Sequence, residues 1–231
     1  MTPTKRIFCT LLAMVTVSLS FAVAKIPEIT GRTTEFHWKR YSGNPVFPAT
    51  AGTWRAAQTA NPDLLLKDDT YFMYFRGQRD GHDRIGVATI AKEKFDGVTW
   101  NIAPDPIIDV GAPGSWDEQH ALDPATVLVG GKVFLYYTGS SPRSDRAVCL
   151  AVSEDGIHFT KYAANPVIIG GGPEVFYRDR TFFLYYWKQV PGRSGFQVHY
   201  ATSADGYHFV EPPGSPGSSS GTGRKLGQFH G

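Results

Sequence analysis

Residues 61–77 read NPDLLLKDDTYFMYFRG, and the same 17-residue pattern returns as DPATVLVGGKVFLYYTG (123–139) and GPEVFYRDRTFFLYYWK (172–188). The three copies align without a gap, and each predicts a strand, a tight turn and a second strand. Each copy also opens with a carboxylate next to a proline. A repeat that returns the same face at the same place gathers these acids into one candidate site: Asp63, Asp123 and Glu174.

The repeat continues downstream of each copy. The segments RIGVATI, AVCLAVS and QVHYATS follow at matching distances, and they align on Ala88, Ala151 and Ala201. An aromatic residue then predicts a fourth strand in each unit: Trp100, Phe159 and Phe209. Four short strands in roughly 50 residues are typical of a β-propeller blade. The sequence therefore predicts an all-β fold, a β-propeller of four-stranded antiparallel blades, with about three blades in this chain.

The flanking segments predict the domain organisation. Residues 1–24 combine Lys5 and Arg6 with an apolar run that ends in Ala-Val-Ala, which indicates a signal peptide and a secreted or periplasmic protein. A retained membrane anchor is the alternative, although the run is at the short limit for a span. Residues 25–212 form the expected propeller domain, and residues 213–231 a Gly/Ser-rich disordered tail. Since a propeller needs at least about four blades, we expect a truncated gene product.

Charge and motif content exclude several classes of function. The chain carries 23 Lys+Arg against 21 Asp+Glu, a net charge of +2, which gives a nucleic-acid partner little electrostatic support. We expect no stable membrane association once the signal peptide is removed. No Cys/His cluster has metal-ligand spacing and no Gly-rich phosphate loop is present, so we expect neither a metal nor a cofactor. Cys149 stands among apolar neighbours and is interpreted as buried packing.

The innermost strand of each blade should line a central channel, with side chains alternating between its two faces. On this reasoning Asn61 points the same way as Asp63, and Asp123 lies one step nearer the channel mouth. The loops and linkers at that mouth add polar and aromatic side chains: Trp54, Arg55, Arg76, His120 and Trp187. Carboxylates, arginines and indoles suit a sugar, because polar groups bind hydroxyls and aromatic faces bind its apolar side. The simpler alternative is that Asp63 and Asp123 only cap turns.

At ALDPATVLVGGKVFLYYTG (121–139) and SEDGIHFTKYAANPVI (153–168) the chain resembles the five-bladed β-propeller glycosidases, a superfamily that includes glycoside hydrolase family 43 and families 32, 62, 117 and 130. The resemblance covers about residues 36–212. It implies a general base at Asp63, an acid-orienting aspartate at Asp123 and a general acid at Glu174. Only Asp123-Pro124 matches the family motif literally, because this chain has Asn61 and Gly171 at the positions where the family carries its other two acids.

The resemblance implies a secreted glycoside hydrolase that cleaves plant or algal poly- or oligosaccharides by an inverting acid/base mechanism. Two alternatives stay open. One is a phosphorylase like those of family 130, in which phosphate replaces water as the nucleophile. The other is a non-catalytic carbohydrate-binding propeller or an inactive truncated one.

Overall fold

The protein was analysed as a computed structural model, which describes residues 39–142, 144–190, 192 and 194–213. The chain divides into two units, 1–40 and 41–231, and every element below belongs to the second. The predicted signal peptide (1–24) and the predicted tail, apart from Pro213, lie outside the described residues.

The described residues form three antiparallel sheets, which we name blades 1, 2 and 3. Each blade is built from strands that are consecutive in the sequence and neighbours in the sheet. Blade 1 contains β1 (Gln58–Lys67), β2 (Thr70–Arg79), β3 (His82–Ala91) and β4 (Asn101–Ile102), with a 3-10 turn at Lys92–Lys94. Blade 2 contains β5 (His120–Val129), β6 (Lys132–Ser141), β7 (Ser144–Ser153) and β8 (Thr160–Lys161), and β9 (Ile168–Ile169) also pairs with β7. Blade 3 contains β10 (Gly171–Arg178), β11 (Thr181–Gln189) and β12 (Phe196–Ser203).

The structure confirms the strand pattern that the repeat predicts. In blade 3 the fourth strand is reduced to a bridge between Thr202 and Val210, directly after Phe209. The three aligned alanines of the third strands, Ala88, Ala151 and Ala201, are each fully buried. Each of them pairs with an equivalent position on the second strand of its blade: Met73, Leu135 and Leu184. The three blades are therefore one structural unit repeated.

The turns between the first and second strands adopt the same backbone conformation in all three blades. In each turn, both central residues have positive φ, between 48° and 81°: Asp68 and Asp69, Gly130 and Gly131, Asp179 and Arg180. A two-residue hairpin with positive φ at both positions is a type I′ turn, whose twist matches that of paired strands. The repeat therefore fixes the hairpin register, and with it the face that each strand presents to its neighbour.

A tyrosine joins each blade to the next. Tyr74 of β2 donates its hydroxyl hydrogen to the carbonyl oxygen of Gly156 at 3.0 Å, and its ring meets Phe159 edge-on at 5.9 Å. Tyr136 of β6 repeats this arrangement one blade later. Its hydroxyl donates to the Gly206 carbonyl at 2.7 Å, and its ring meets Phe209 at 5.6 Å.

Both tyrosine side chains are fully buried. We call the pocket formed by the Asp-Gly turn and the aromatic residue that follows it the tyrosine socket. It is the repeated contact that stacks one sheet on the next.

Cys149 lies in the core between blades 1 and 2, as its apolar surroundings predict. The side chain is 1% exposed, and burial raises the pKa of the thiol to about 12. The thiol is therefore protonated at neutral pH and acts as a small apolar side chain.

Candidate active site

A β-bulge interrupts the innermost strand of every blade at the same place. In β1 the register shifts between Ala60 and Asp63, which pair with Arg76 and Tyr74. The same one-residue excess occurs between Leu122 and Ala125 in β5 and between Gly171 and Glu174 in β10. A bulge re-aims the side chains that follow it. The expectation that side chains alternate simply across each proline is therefore wrong at the point where the acids stand.

The residue before each proline adopts a left-handed backbone. The φ values are 49° for Asn61, 53° for Asp123 and 55° for Gly172. Glycine adopts this conformation freely, and Asn and Asp tolerate it better than other residues do. The choice of Asn, Asp and Gly at this point therefore has a backbone reason that is independent of catalysis. Asn61 is exposed, and the structure gives its side chain no hydrogen-bond partner among the described residues.

Asp63 reaches across to the neighbouring blade. Its Oδ2 accepts hydrogen bonds from the backbone N–H of Thr126, at 2.7 Å, and from the Thr126 hydroxyl. Burial raises the pKa of Asp63, and the hydrogen bonds from Thr126 oppose that shift. Both Thr126 donors bind Oδ2, which fixes the carboxyl group, and neither of them binds Oδ1. The structure thus holds Asp63 in a defined orientation at the junction of β1 and β5.

Glu174 occupies the position in β10 that corresponds to Asp63 in β1. It pairs with Tyr185 as Asp63 pairs with Tyr74. The residue is exposed, yet its pKa is raised. The larger cause is partial desolvation, and the smaller is the negative charge of Asp63. The negative charge at the equivalent position of blade 1 therefore favours the protonated form of Glu174. Ala125 fills the corresponding position of blade 2 and is buried.

This coupling can be measured without an activity assay. In the Asp63→Asn variant we expect the pKa of Glu174 to fall, because the substitution removes the negative charge that disfavours ionisation of Glu174. Titration of the selectively labelled glutamate carboxyl by NMR would measure this change. Asp155→Asn, at an exposed turn of blade 2, is the control and should leave the titration of Glu174 where it was. An unchanged pKa in Asp63→Asn would show that the two groups do not interact.

Asp123 stands in a different electrostatic setting from the other two acids. It accepts a hydrogen bond from the Thr138 hydroxyl at 3.3 Å, and Thr138 Oγ1 accepts one from the Gly172 N–H at 2.8 Å. Burial raises the pKa of Asp123, and the positive charges of Arg76 and Arg146 oppose this. Asp123 is thus linked through Thr138 to the strand that carries Glu174.

A partly exposed network of polar side chains surrounds Arg76. Its Nε lies 3.2 Å from Asp83 Oδ1, and its Nη2 donates to Gln58 Oε1 at 2.6 Å. Asp83 is 5% exposed and also contacts His120, with Nδ1 2.9 Å from Oδ2. Burial lowers the pKa of His120, which favours the neutral ring at neutral pH. The structure therefore brings Arg76 and His120 to one carboxyl group, that of Asp83.

The indole ring of Trp187 packs against the innermost strand of blade 3. A Cβ atom added to Gly172 would lie 2.4 Å from the indole Nε1, so only glycine allows the ring to approach the backbone this closely. The guanidinium carbon of Arg146 lies 5.6 Å from the centre of the indole, a cation–π arrangement. Trp187 is half-buried, and the glycine against which its indole lies donates its N–H to Thr138, the hydrogen-bond partner of Asp123.

The structure gives Trp54 and Arg55 packing contacts, and their role in substrate binding stays a prediction. The Trp54 ring stacks on Phe75 at 5.6 Å and lies against Gly77 and Gly86, where a Cβ would come within 2.5 Å of the indole. Arg55 is 9% exposed, and its Nη1 donates to the Pro48 carbonyl at 2.7 Å. Both side chains pack against blade 1, because the segment before β1 folds back onto that sheet.

Sequence reasoning missed two threonines. Thr126 fixes Asp63, and Thr138 joins Asp123 to Gly172. A signal for Thr126 exists in the repeat, where the other two blades carry the apolar residues Leu64 and Val175 at the same position. A hydroxyl that replaces an apolar side chain in one copy of a repeat indicates a local polar contact.

Among the residues that the structure describes, no group of three or more His, Cys, Asp or Glu side chains is placed to hold a metal ion. In the same residues, no helix has the length and hydrophobicity needed to cross a bilayer.

Comparison with solved structures identifies the fold. A family 117 glycoside hydrolase of the marine bacterium Zobellia galactanivorans superposes with a TM-score of 0.61 over 70% of this chain and 48% of its own, at 22% sequence identity. The chain has the fold of the β-propeller glycoside hydrolases. A glycosyl hydrolase of Bacteroides ovatus gives 0.60 over 76% of this chain and 58% of its own, at 17% identity.

A third structure is described as belonging to the family 130 mannoside phosphorylases, a family containing hydrolases of β-1,2-mannosidic linkages in Candida mannan. It gives a TM-score of 0.61 over 75% of this chain and 57% of its own, at 18% identity. At these identities the likeness establishes the fold.

Sequence comparison adds relatives without an assigned activity. Two uncharacterized proteins, from two strains of Mycobacterium tuberculosis, are each 25% identical over 192 residues, which cover 74% of this chain. The chain spans 63% of the length of these curated relatives. No protein-family profile matches the chain.

Proposed function

We propose that the protein is a glycoside hydrolase in which Glu174 is the general acid and Asp63 the general base. The observation that carries this proposal is the equivalent placement of the two residues, directly after the bulges of β1 and β10, where each pairs with the corresponding tyrosine of the second strand. A glycosidase needs one carboxyl group that donates a proton and one that accepts a proton, and the negative charge of Asp63 is one of the two causes that raise the pKa of Glu174. The propeller fold shared with glycoside hydrolases supports the same assignment.

We assign the two acids to different steps of an inverting reaction. Exposed Glu174 donates its proton to the glycosidic oxygen of the leaving group. Asp63, fixed by Thr126, accepts a proton from the water that attacks the opposite face of the sugar. In inverting enzymes the two carboxyl groups stand about 6.5 to 9.5 Å apart, which leaves room for that water.

Asp123 acts as a positioning residue in this proposal. Its carboxyl group, bonded to Thr138 and facing Arg76 and Arg146, can accept hydrogen bonds from sugar hydroxyls and orient Glu174 through the Gly172 link. The indole of Trp187 offers an apolar face to a sugar ring, and Arg76 and His120 supply further polar contacts. We propose an oligo- or polysaccharide of plant or algal origin as the substrate, and a secreted or periplasmic location.

The two arginines near Asp123 favour a second candidate, phosphorolysis. Arg76 and Arg146 place two positive charges beside the acid cluster, and guanidinium groups bind phosphate well. Phosphate would then replace water as the nucleophile, as in the phosphorylases of the family 130 neighbour. A non-catalytic sugar-binding propeller is the third possibility that the experiment must separate.

The test is a screen of plant, algal and β-1,2-mannosidic oligosaccharides with purified protein, with and without inorganic phosphate. Products are followed by ¹H NMR from the first minutes. A free sugar of inverted anomeric configuration, formed equally in both arms, supports the hydrolase. A sugar phosphate formed only with phosphate supports the phosphorylase, and saturable binding without any product would overturn both enzymatic assignments.

A further inference from the structure

Arg146 is an exposed arginine at the start of β7, the third strand of blade 2. The repeat places it at the same position as Asp83 in blade 1 and Phe196 in blade 3. Both counterparts have partners within their own blade. Asp83 forms its ion pair with Arg76, and the Phe196 ring lies 4.3 Å from that of Trp187. Among the described residues no carboxylate forms an ion pair with Arg146, whose guanidinium instead lies over the Trp187 ring.

A β-bulge that is specific to blade 2 sets the direction of Arg146. The register of β6 and β7 shifts between Gly139 and Ser141, so the stretch of β7 from Ser144 to Ala147 is one residue longer than the stretch it faces. The second and third strands of blades 1 and 3 pair without such a shift. Bulges commonly re-aim a side chain beside a functional site. A bulge in one copy of a repeat therefore indicates a local requirement at Arg146.

The backbone of Arg146 is held by the segment that leads into blade 3. Its carbonyl oxygen accepts the N–H of Gly170 at 2.9 Å, and the next residues of β7, Ala147 and Val148, pair with β9. The side chain therefore starts from a fixed backbone and reaches Trp187, whose indole packs against the glycines that open β10. A charged group that is held in this way loses little conformational freedom when it binds a ligand.

The charge of Arg146 acts on the candidate active site. It opposes the upward pKa shift that burial gives Asp123, and it adds to the lowering of the His120 pKa. Arg76 is the other arginine whose charge acts on Asp123, but its Nε lies 3.2 Å from the buried carboxyl group of Asp83, which compensates that charge. Of these two arginines, Arg146 is therefore the one whose charge is left for a ligand.

We propose that Arg146 binds an anionic substituent of the substrate, a carboxylate or a sulfate ester, and that the substrate is therefore an acidic glycan. The inference rests on the proposed function, because it takes the site beside Asp123 to be a sugar site. A guanidinium offers two parallel N–H donors to an oxyanion, and these charge-assisted bonds are stronger than those to a neutral hydroxyl. Trp187 supports the guanidinium plane without neutralising it, because an aromatic ring carries no net charge.

Isothermal titration calorimetry of the full chain tests the proposal through binding rather than turnover. The probes are matched pairs of plant and algal oligosaccharides. Oligogalacturonides are compared with their methyl esters, and sulfated galactan oligosaccharides with their desulfated forms. In at least one pair we expect the anionic form to bind about tenfold or more tightly than its neutral partner. The pair that shows this preference identifies the substituent as a carboxylate or a sulfate ester.

Substitutions of Arg146 connect the preference to this side chain. Arg146→Gln should bring the affinity for the anionic form down to that of the neutral form. Arg146→Lys keeps the charge but loses the planar fork, so it should retain part of the preference. Arg178→Gln is the matched control, an exposed arginine at the far end of β10, and should leave both affinities unchanged. Thermal unfolding shows whether each variant is folded.

Two results would overturn the proposal. One is an anionic form that binds no more tightly than its neutral partner in every pair, and the other is a preference that folded Arg146→Gln retains. Inorganic phosphate is titrated in the same way. Phosphate binding that Arg146→Gln abolishes, without a preference for any anionic sugar, would assign the arginine to phosphate and overturn the proposal as well.

Failure of this inference can be told from failure of the proposed function. An acidic sugar that binds through Arg146 and is never cleaved would contradict the hydrolase and leave the inference standing. Cleavage of a neutral glycan, unchanged in Arg146→Gln and without any preference for anionic forms, would do the reverse.

Discussion

We expect Glu174→Gln to lower kcat by about 10² to 10⁴ on the glycoside that the substrate screen identifies, because the amide cannot donate the proton that the leaving group needs. The side chain keeps its size and its place on β10, so the loss should appear in turnover rather than in folding. Steady-state kinetics on an alkyl or natural glycoside, which depends fully on protonation of the leaving group, measures the effect most clearly.

The control for this experiment is Glu154→Gln. Glu154 is an exposed glutamate whose carboxyl group contacts Lys132 at the surface, away from the proposed site. This variant should keep the activity of the unmodified protein, and both variants should unfold at the same temperature as that protein. Activity of purified Glu174→Gln within about threefold of the unmodified protein would remove Glu174 from the role of general acid.

The second large effect is expected on stability, at the tyrosine that joins blades 2 and 3. Tyr136→Ala should lower the free energy of unfolding by about 3 to 5 kcal/mol. Tyr136 is fully buried, so the substitution leaves a cavity in the core beside Phe209 and Leu184. A loss of this size is a large share of the stability of an ordinary domain. Urea denaturation followed by tryptophan fluorescence measures it.

Tyr136→Phe separates the hydrogen bond from the packing. It removes only the bond to the Gly206 carbonyl, which then stays buried without its donor, so we expect a loss of about 1 to 2 kcal/mol. If Tyr136→Ala cost no more than Tyr136→Phe, the side chain would not be the packing element that joins the two blades.

The blades could be predicted from the sequence because their signals are local. Type I′ turns depend on two residues with positive φ, and Asp68-Asp69 and Gly130-Gly131 are suited to that conformation. The small residue of the third strand recurs because Ala88, Ala151 and Ala201 occupy the same fully buried position. Each of these features is set by a few neighbouring residues, so the repeat in the sequence reports the repeat in the structure.

The orientation of the site could not be predicted, because it depends on the partner strands. The bulge before Asp63 is defined by how β1 pairs with β2, and an alternation rule applied to β1 alone misses it. Trp54 is predicted to lie at the channel mouth, and the packing of its ring against Gly77 and Gly86 depends on residues that are distant in the sequence. The repeat marks Thr126 as a polar exception, but its hydrogen bond to Asp63 depends on how blades 1 and 2 pack together.

The spacing of Asp63 and Glu174 around a bound sugar is the central claim, and one measurement tests it most directly. A crystal structure of Glu174→Gln with the oligosaccharide substrate should show the Asp63 carboxyl group and the side chain at position 174 on opposite sides of one glycosidic bond. Their separation should be about 6.5 to 9.5 Å. A sugar bound elsewhere, or two side chains that diverge and share no contact with it, would contradict the account.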